Sequence, residues 1–257
     1  MTSRILTRRQ MLLRGSSVLG GLLLAGCDRL TNAPSFRRML ESAEGLTYRS
    51  QRLLLGSGAL AREFREADLS PVFRSNGTSF PDSDLYRRLL ENQFADWRLG
   101  VGGLVGKPFS LSLAALRAMP SRTQITRHDC VEGWSAIGKW TGVPLSSVLK
   151  PAQVKPHARY VVFHCADSLG ASEADTYYES VDLLDAFHPQ TLLAYELNGK
   201  PLQVQNGAPL RLRVERQLGY KHAKYIMGID VVEGLGGIRG GKGGFWEDRG
   251  YEWYAGI

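Results

Sequence analysis

The sequence contains few cysteines, and no two of them are spaced as a paired motif. There are 3 in 257 residues, at positions 27, 130 and 165. Because no CxxC pair is present, the sequence disfavours both a structural zinc site and a c-type haem. A disulfide between Cys130 and Cys165 stays open as an alternative if the protein works in an oxidising compartment.

The sequence also lacks the usual signatures of nucleotide and nucleic-acid binding. No GxGxxG follows a predicted strand, and no Walker sequence occurs. Residues 234–244 are glycine-rich, but they follow the last predicted strand, so we interpret them as a flexible loop in a C-terminal tail. The formal net charge is +7, and removing the four arginines of the first 14 residues lowers it to +3. Since no Lys/Arg run with interleaved aromatics occurs either, we expect no nucleic-acid partner.

The apolar run near the N-terminus, at residues 15–26, is short. A membrane-spanning helix needs about 20 apolar residues, so this run behind several arginines is typical of an export signal. The segment TRRQML at 7–12 resembles a twin-arginine signal, with an ordinary secretory signal as the alternative. LAGC at 24–27 resembles a lipobox with Cys27 acylated, and a plain cleavage site is the alternative. We predict a signal over residues 1–27 and a lipid anchor in the membrane.

Cys130 lies among charged residues, in the segment RHDCVEGWS at 127–135. A structural cysteine more often has apolar neighbours, so this setting favours a reactive thiol or a metal ligand. Two alternatives stay open: an inert core cysteine, and a nucleophile paired with His128, which can share a face of an extended segment with Cys130.

Helix signals are concentrated before residue 120. We predict a tether and helical segment at 28–93, with a short amphipathic helix up to about residue 55. Further helices are predicted at 60–67, at 84–92 with Ser83 as N-cap, and at 113–119 with Ser112 as N-cap.

Strand signals are more frequent after residue 94. Asn198 and Gly199 predict a hairpin turn, and residues 210–215 alternate apolar and charged side chains, which predicts a half-buried strand. The charged residues of that strand face solvent unless they bind a ligand. Many short strands with few helices indicate an α+β domain with a mixed sheet, which we assign to residues 94–257.

Six separated segments have the order and spacing of one known family. They are RHDCVEGWS at 127–135, WTGVPL at 140–145, HPQTLLAY at 188–195, NGKPL at 198–202, NGAPLR at 206–211 and GYK at 219–221. From about residue 94 to residue 232 the chain resembles the oxidoreductase molybdopterin-binding domain of the sulfite oxidase family. The resemblance is closest to its bacterial branch, which includes periplasmic methionine-sulfoxide reductase catalytic subunits.

The resemblance implies a sulfite-oxidase-type molybdopterin-binding fold with mixed β-sheets and short helices, and a cofactor of one molybdenum and one pterin. It makes Cys130 the catalytic residue and the metal ligand, since a soft thiolate suits an oxo-bearing molybdenum. The positions that hold the pterin in the family correspond to Asn76, Cys165, Asn206, Arg211, Gly219, Tyr220 and Lys221. Cys165 stands where the reductase branch tends to have threonine, and a thiol makes a weaker hydrogen bond than a hydroxyl.

The resemblance also implies oxygen-atom transfer on a sulfur or S-oxide substrate, either a small molecule or a protein-bound group. Sulfite oxidation is the alternative, and it needs a cationic pocket, for which Arg127, His128 and Lys139 are candidates. Trp134 and Trp140 either line an apolar pocket for a thioether or belong to the core.

The implied enzyme is exported by the twin-arginine route, periplasmic, lipid-anchored and monomeric. Because the sequence has no haem motif, we expect a cytochrome or a membrane haem subunit as its electron-transfer partner. Two functions without redox chemistry stay open: a binding lipoprotein that keeps the fold without the metal, and a thiol hydrolase that acts through Cys130.

Overall fold

The computed structural model describes residues 33–56, 58–170, 172 and 175–257. The chain divides into two compact units, Met1–Leu54 and Leu55–Ile257. The predicted signal and lipobox at 1–27 lie outside the described residues. Within the described ranges, no helix is both long enough and apolar enough to cross a membrane.

Helix α1, Pro34–Leu55, accounts for almost all of the described part of the first unit. Its 22 residues make it longer than the short amphipathic helix expected from the sequence. Thr47 Oγ1 donates to the carbonyl of Ala43 at 3.0 Å, one helical turn away. The second unit begins at Leu55, so residues 55–93 belong to the same compact unit as the domain predicted at 94–257.

The second unit is built mainly from short strands. Its helices are α2 (Asp84–Glu91), α3 (Leu113–Ala118), α4 (Leu145–Ala152) and α5 (Leu183–Ala186). Its strands are β1 (Arg98–Gly103), β2 (Phe109–Ser112), β3 (Arg122–Cys130), β4 (Trp134–Pro144), β5 (Tyr160–Ser168), β6 (Thr176–Asp182), β7 (Leu192–Leu197), β8 (Lys200–Pro201), β9 (Arg211–Arg213) and β10 (Ile226–Val232). Short 3₁₀ turns lie at Glu66–Asp68, Val204–Asn206, Gly219–Lys221 and Glu247–Arg249.

The strands form two five-stranded sheets. The first has the order β2-β1-β10-β5-β6, with β1 and β10 parallel and the other pairs antiparallel. The second has the order β3-β4-β7-β8, and β9 also pairs with β7. The predicted α+β fold with mixed sheets and short helices is therefore confirmed.

One continuous apolar core includes residues from both sheets. Trp140 of β4 and Phe163 of β5 are fully buried in it. Trp97 is also fully buried, and its indole nitrogen donates to the carbonyl of Ile226 at 3.2 Å. Satisfying the indole in this way lets the large ring be buried without an unpaired polar group.

Local sequence signals placed several elements correctly. Ser83 and Ser112 accept from the amides of Tyr86 and Ala115, as the predicted N-caps of α2 and α3. The hairpin turn between β7 and β8 has φ of 54° at Asn198 and 73° at Gly199, the left-handed conformation that this dipeptide favours.

Two local expectations were wrong. Residues 60–67 do not form a helix: only the 3₁₀ turn Glu66–Asp68 occurs there, and Glu63 makes a β-bridge to Thr126 instead. Strand β9 is buried on both faces, since Arg211 and Arg213 are fully buried. At residues 60–67, pairing with a strand distant in sequence outweighed the local helix propensity. In β9, the charged side chains that alternate with apolar ones are buried and do not face solvent.

A glycine in β4 allows the closest approach of β4 to β7. A Cβ atom on Gly142 would lie 2.2 Å from the Leu193 carbonyl oxygen, whereas one on Gly100 of β1 would meet nothing within 4 Å. We expect Gly142→Ala to lower the free energy of unfolding by at least about 2 kcal/mol, because backbone atoms cannot rotate away. Gly100→Ala should change it by less than about 1 kcal/mol. Urea unfolding of both variants tests this, and equal effects would contradict it.

Candidate active site

Cys130 is the last residue of β3, at the turn into β4. Its register partner is Trp134, and the amide of Gly133 donates to the Cys130 carbonyl at 3.1 Å. Gly133 has φ of 84°, a left-handed conformation that favours glycine. Strand β3 thus continues as far as Cys130 and ends with a partly exposed thiol.

A cavity of about 160 Å³ lies beside Cys130, with room for much more than a single water molecule. Its polar wall includes Asn76, Thr78, Asp167, His222 and Lys224. Its apolar and aromatic wall includes Val131, Leu169, Tyr177, Trp246 and Tyr251. The cavity therefore combines a thiol, both signs of charge and a largely aromatic surface.

Four of the predicted pterin-binding residues form one hydrogen-bonded cluster. Arg211 Nη2 donates to Asn76 Oδ1 at 2.9 Å, and Arg211 Nη1 donates to the Asn206 carbonyl at 3.2 Å. Asn76 Nδ2 donates in turn to the Gly219 carbonyl at 3.3 Å. The structure thus brings together Asn76, Asn206, Arg211 and Gly219, which are up to 143 positions apart.

Arg211 is a fully buried cation whose hydrogen-bond partners are neutral. Its Nε and the Nδ2 of Asn206 have no partner although both atoms are buried. Burial and the neighbouring Arg213 lower the pKa of Arg211 to about 9, so it stays charged at neutral pH. By contrast, Arg213 is paired with Glu215 through two hydrogen bonds, at 2.9 and 2.5 Å.

His128 is buried, and its contacts do not support the alternative of a nucleophilic pair with Cys130. Its Nδ1 lies 3.0 Å from Arg213 Nη1, which assigns Nδ1 as the acceptor and Nε2 as the protonated nitrogen. Burial and the nearby His222 lower the pKa of His128 well below its usual range, so the ring is neutral. Burial also raises the pKa of the Cys130 thiol. A protonated thiol and a histidine held by Arg213 do not make an activated nucleophile.

The predicted cation Lys221 is fully buried and paired with acids. Its Nζ donates to Glu179 of β6 and to Glu247 of the C-terminal segment. Burial and Glu247 raise the pKa of Glu179 well above its usual range, because two carboxylates share one ammonium group. Lys221 therefore holds the turn Gly219–Lys221 in place, while Lys224 supplies an ammonium group at the cavity.

Gly219 cannot carry a side chain, because the turn packs closely against β3. A Cβ atom there would lie 2.6 Å from His128 Nε2 and 3.2 Å from the Asp129 carbonyl oxygen. The glycine thus allows the turn to pack against β3, which brings Tyr220 to the cavity. The backbone carbonyl of Tyr220 accepts from the Tyr177 hydroxyl at 2.6 Å.

Cys165 lies inside β5, opposite Ile226 of β10. Burial, and after it Asp167, raise the pKa of its thiol well above the usual range. Cys130 and Cys165 are both free thiols, so the alternative of a disulfide between them was wrong. Cys165 belongs to the core behind the cavity wall that contains Asp167 and Tyr177.

Lys224 and Asp167 are titratable cavity residues that the sequence did not reveal. Lys224 Nζ donates to the carbonyls of Thr78 and Gln205, the latter at 3.1 Å. Burial and Arg211 lower the pKa of Lys224 to about 7. Burial raises the pKa of the Asp167 carboxyl to about 6, and its Oδ1 has no partner. Lys224 lies only three positions after the GYK segment, and this short distance could have indicated that it belongs to the site.

The C-terminal segment is a further part of the site that the sequence analysis missed. Trp246 and Tyr251 line the cavity and stack at 5.3 Å between ring centroids. Phe245 is buried and stacks on Tyr177 at 5.6 Å. The sequence after position 244 is rich in aromatic residues, which indicates a packed segment. The glycine-rich residues before it had suggested a flexible tail instead.

The mixed sheets stand beside a cavity with a thiol, and a buried cation without a carboxylate partner lies nearby. This arrangement fits a domain that binds an anionic cofactor. The family model of the oxidoreductase molybdopterin binding domain matches residues 88–234. The chain belongs to this family, which confirms the resemblance to sulfite oxidases and the predicted class of molybdopterin-dependent oxidoreductase.

The chain is also similar to individual relatives. It is 37% identical to a putative protein-methionine-sulfoxide reductase subunit YedZ1 of Azospira oryzae, over 98% of this chain and 88% of that protein. It is 41% identical to the protein-methionine-sulfoxide reductase catalytic subunit MsrP of Xanthomonas axonopodis pv. citri, over 63% of this chain and 52% of that protein. The chain thus spans about half of the MsrP relative. The solved sulfane dehydrogenase SoxCD of Paracoccus pantotrophus aligns with a TM-score of 0.48 and 24% identity, over 54% of this chain and 39% of that one.

The raised pKa of the Asp167 carboxyl predicts that the stability of the protein depends on pH. The folded protein holds a proton on this carboxyl between pH 3.8, its usual pKa, and about 6. Stability from that proton is present at low pH and is lost as the pH rises through this window. The roughly two-unit shift corresponds to about 3 kcal/mol. We expect Asp167→Asn to gain stability relative to wild type by up to this amount between pH 4 and pH 8.

Denaturant unfolding of the protein without cofactor measures this difference. Asp96→Asn, at an exposed aspartate, is the matched control and should follow the wild-type pH profile. An Asp167→Asn protein whose stability relative to wild type does not change with pH would contradict the assignment.

Proposed function

We propose that this chain is an exported molybdenum–pterin oxidoreductase that reduces S-oxides, with Cys130 as the thiolate ligand of the metal. The single observation that carries the proposal is the place of Cys130 at a cavity also lined by Asn76, which accepts a hydrogen bond from the buried Arg211. The names of the relatives from Azospira and Xanthomonas support an S-oxide substrate for this chain too.

The residues present fit a molybdenum–pterin group with a terminal phosphate. Arg211 is a buried cation that needs an anion, and its guanidinium suits a phosphate. The Nδ2 of Asn206 and the Nε of Arg211 are buried donors without partners. Asn76, Asn206, Arg211 and the turn Gly219–Lys221 would hold one pterin, and Cys130 would bind one molybdenum. When bound, the metal supplies oxygen-atom transfer and the two electrons that it requires.

None of the three cations predicted for a sulfite pocket is available as a free charge, which favours a neutral S-oxide over sulfite. A sulfite pocket requires fixed cations, but Arg127 Nε donates to Asp129 at 2.9 Å, and Lys139 Nζ donates to Glu66 at 2.6 Å. His128 is neutral because burial lowers its pKa. Trp140 is fully buried in the core. The cavity wall of Val131, Leu169, Tyr177, Trp246 and Tyr251 suits the apolar groups on either side of a sulfoxide.

Reduction of an S-oxide consumes two electrons and two protons and releases a thioether and water. Asp167 is suited to deliver a proton, because its carboxyl has a pKa of about 6 and lines the cavity. Thr78 lines the same cavity as this carboxyl. We assign Asp167 as a proton donor to the S-oxide oxygen.

The proposal includes export by the twin-arginine route and a lipid anchor at Cys27 on the periplasmic side of the membrane. It also includes a monomeric catalytic chain and a haem-containing electron donor. The donor is either a cytochrome or a membrane haem subunit. The N-terminal motifs TRRQML and LAGC support the route and the anchor.

The thiol hydrolase alternative has less support, because the Cys130 thiol has a raised pKa and His128 is held by Arg213. The binding lipoprotein alternative predicts that the protein works without metal, and the next experiment tests it.

Replacing the thiol should remove the metal. We expect the wild-type protein, exported from a molybdenum-replete host, to contain about one molybdenum per chain, and Cys130→Ser to contain almost none. Cys165→Thr should keep the metal, since threonine is the residue typical of the reductase branch at this position. Elemental mass spectrometry measures all three. Metal-free wild-type protein from a host with working cofactor synthesis would contradict the proposal.

Replacing each of the two buried arginines is expected to change the stability of the cofactor-free protein by a different amount. Arg213→Gln leaves Glu215 as an unpaired buried carboxylate, so we expect a loss of about 3 kcal/mol in the free energy of unfolding. Arg211→Gln removes a cation that lacks a counter-ion, so its stability should stay within about 1 kcal/mol of wild type. Yet Arg211→Gln should lose most of its pterin during purification. Urea unfolding and release of pterin measured by fluorescence check both, and retention of pterin by Arg211→Gln would contradict the phosphate assignment.

A further inference from the structure

Helix α1 has an apolar face that the oxidoreductase function does not use. At 3.6 residues per turn, Phe36, Ala43, Leu46, Leu53 and Leu54 fall within about 100° of the helix circumference. Leu46, Leu53 and Leu54 are 66%, 84% and 83% exposed. Exposed leucines aligned on one side of a 22-residue helix are a surface for binding, since monomeric proteins rarely leave such a stripe in water.

The other side of the same helix is polar and basic. Gly45, Arg49 and Arg52 lie there, and the guanidinium of Arg52 lies 5.3 Å from the centre of the Tyr48 ring. The helix contains four arginines and two glutamates, which gives it a net charge of +2. An apolar stripe beside arginines is typical of helices that lie in the plane of a membrane surface.

The place of the helix in the chain also points to a membrane. Six residues separate Cys27 from Pro34, so α1 begins at most about 24 Å from that cysteine along an extended chain. If Cys27 is acylated, as proposed above, the helix starts within reach of lipid headgroups. At about 33 Å long and with a polar face along its whole length, it suits the surface of the bilayer.

We propose that α1 binds an anionic phospholipid surface through Phe36, Leu46, Leu53 and Leu54, with Arg49 and Arg52 at the headgroups. The charge of the helix is complementary to anionic lipids, and each arginine near such a surface adds to the attraction. The apolar stripe enters the boundary between headgroups and acyl chains. In this proposal the helix is a second, non-covalent membrane contact in addition to a lipid at Cys27, and it binds without that lipid.

A variant without the lipid isolates this contact. Cys27→Ala changes the sequence at 25–27 to Ala-Gly-Ala, the small-residue pattern of ordinary signal cleavage. The exported protein then carries no acyl chain, and intact mass spectrometry verifies this. We would measure its sedimentation with vesicles of phosphatidylcholine and phosphatidylglycerol, and with vesicles of phosphatidylcholine alone.

Two variants of the Cys27→Ala protein each introduce one glutamate, on opposite faces of α1. Leu54→Glu and Gly45→Glu each lower the net charge by one, and glutamate is as good a helix former as leucine and better than glycine. A Cβ on Gly45 meets nothing within 4 Å. Because Leu54→Glu also removes a buried apolar side chain at the membrane, we expect its partition coefficient to fall about tenfold further than that of Gly45→Glu.

Binding of the lipid-free parent to anionic vesicles, weaker binding to neutral ones, and this difference between the variants would support the proposal. Equal binding of the two glutamate variants would overturn it, since attraction by charge alone would then suffice. No sedimentation of the parent with any vesicle would also overturn it. Binding only to native membranes that contain the redox partner would overturn it too, by assigning the stripe to a protein.

The outcome is separable from that of the proposed enzyme. Molybdenum content and S-oxide reduction in solution are expected to be the same in Leu54→Glu and its parent, because Leu54 is not among the described residues that line the cavity. A protein that binds vesicles but no metal would refute the proposed function and leave the membrane contact standing. The state of Cys27 in the wild type is read independently from the mass of the membrane-extracted protein.

Discussion

The buried guanidinium of Arg211 is the constraint on which the candidate site depends. The fold buries other cations with carboxylates: Arg213 with Glu215, and Lys221 with Glu179 and Glu247. Arg211 has only amide and carbonyl oxygens as hydrogen-bond partners among the described residues. A charge left without a counter-ion in the interior is costly. The fold therefore stores an unfavourable interaction that an anionic cofactor would relieve.

The same cation explains why distant segments of the chain meet at one place. The hydrogen bond from Arg211 fixes Asn76, whose amide reaches Gly219, and that turn is held from the other side by Lys221 and Glu247. A loop before α2, strand β9 and the C-terminal segment thus share one network. Because each member is buried and bonded to the next, a change in one is expected to move the others.

The sequence was a good guide to local structure and to the family, but not to the electrostatics of the cavity. Caps at Ser83 and Ser112 depend on a few neighbouring residues, so they could be predicted. The alternation at 210–215 suggested solvent on one face, yet Arg211 is buried, because a second layer of chain covers the strand. Asp167 and Lys224 have ordinary sequence surroundings. Burial shifts their pKa values, and burial is set by contacts that are distant in sequence.

Those two shifts make the cavity suited to a neutral substrate. With pKa values of about 6 for Asp167 and about 7 for Lys224, each group lies close to its change of charge near neutral pH. A group with such a pKa can release or take up a proton with little driving force, which is the condition for efficient proton transfer. A fixed cation would instead hold an anion such as sulfite and would release no proton to the oxygen. Burial therefore lowers the charge of the cavity wall and also lets the wall supply protons. S-oxide reduction requires protons, and sulfite oxidation does not.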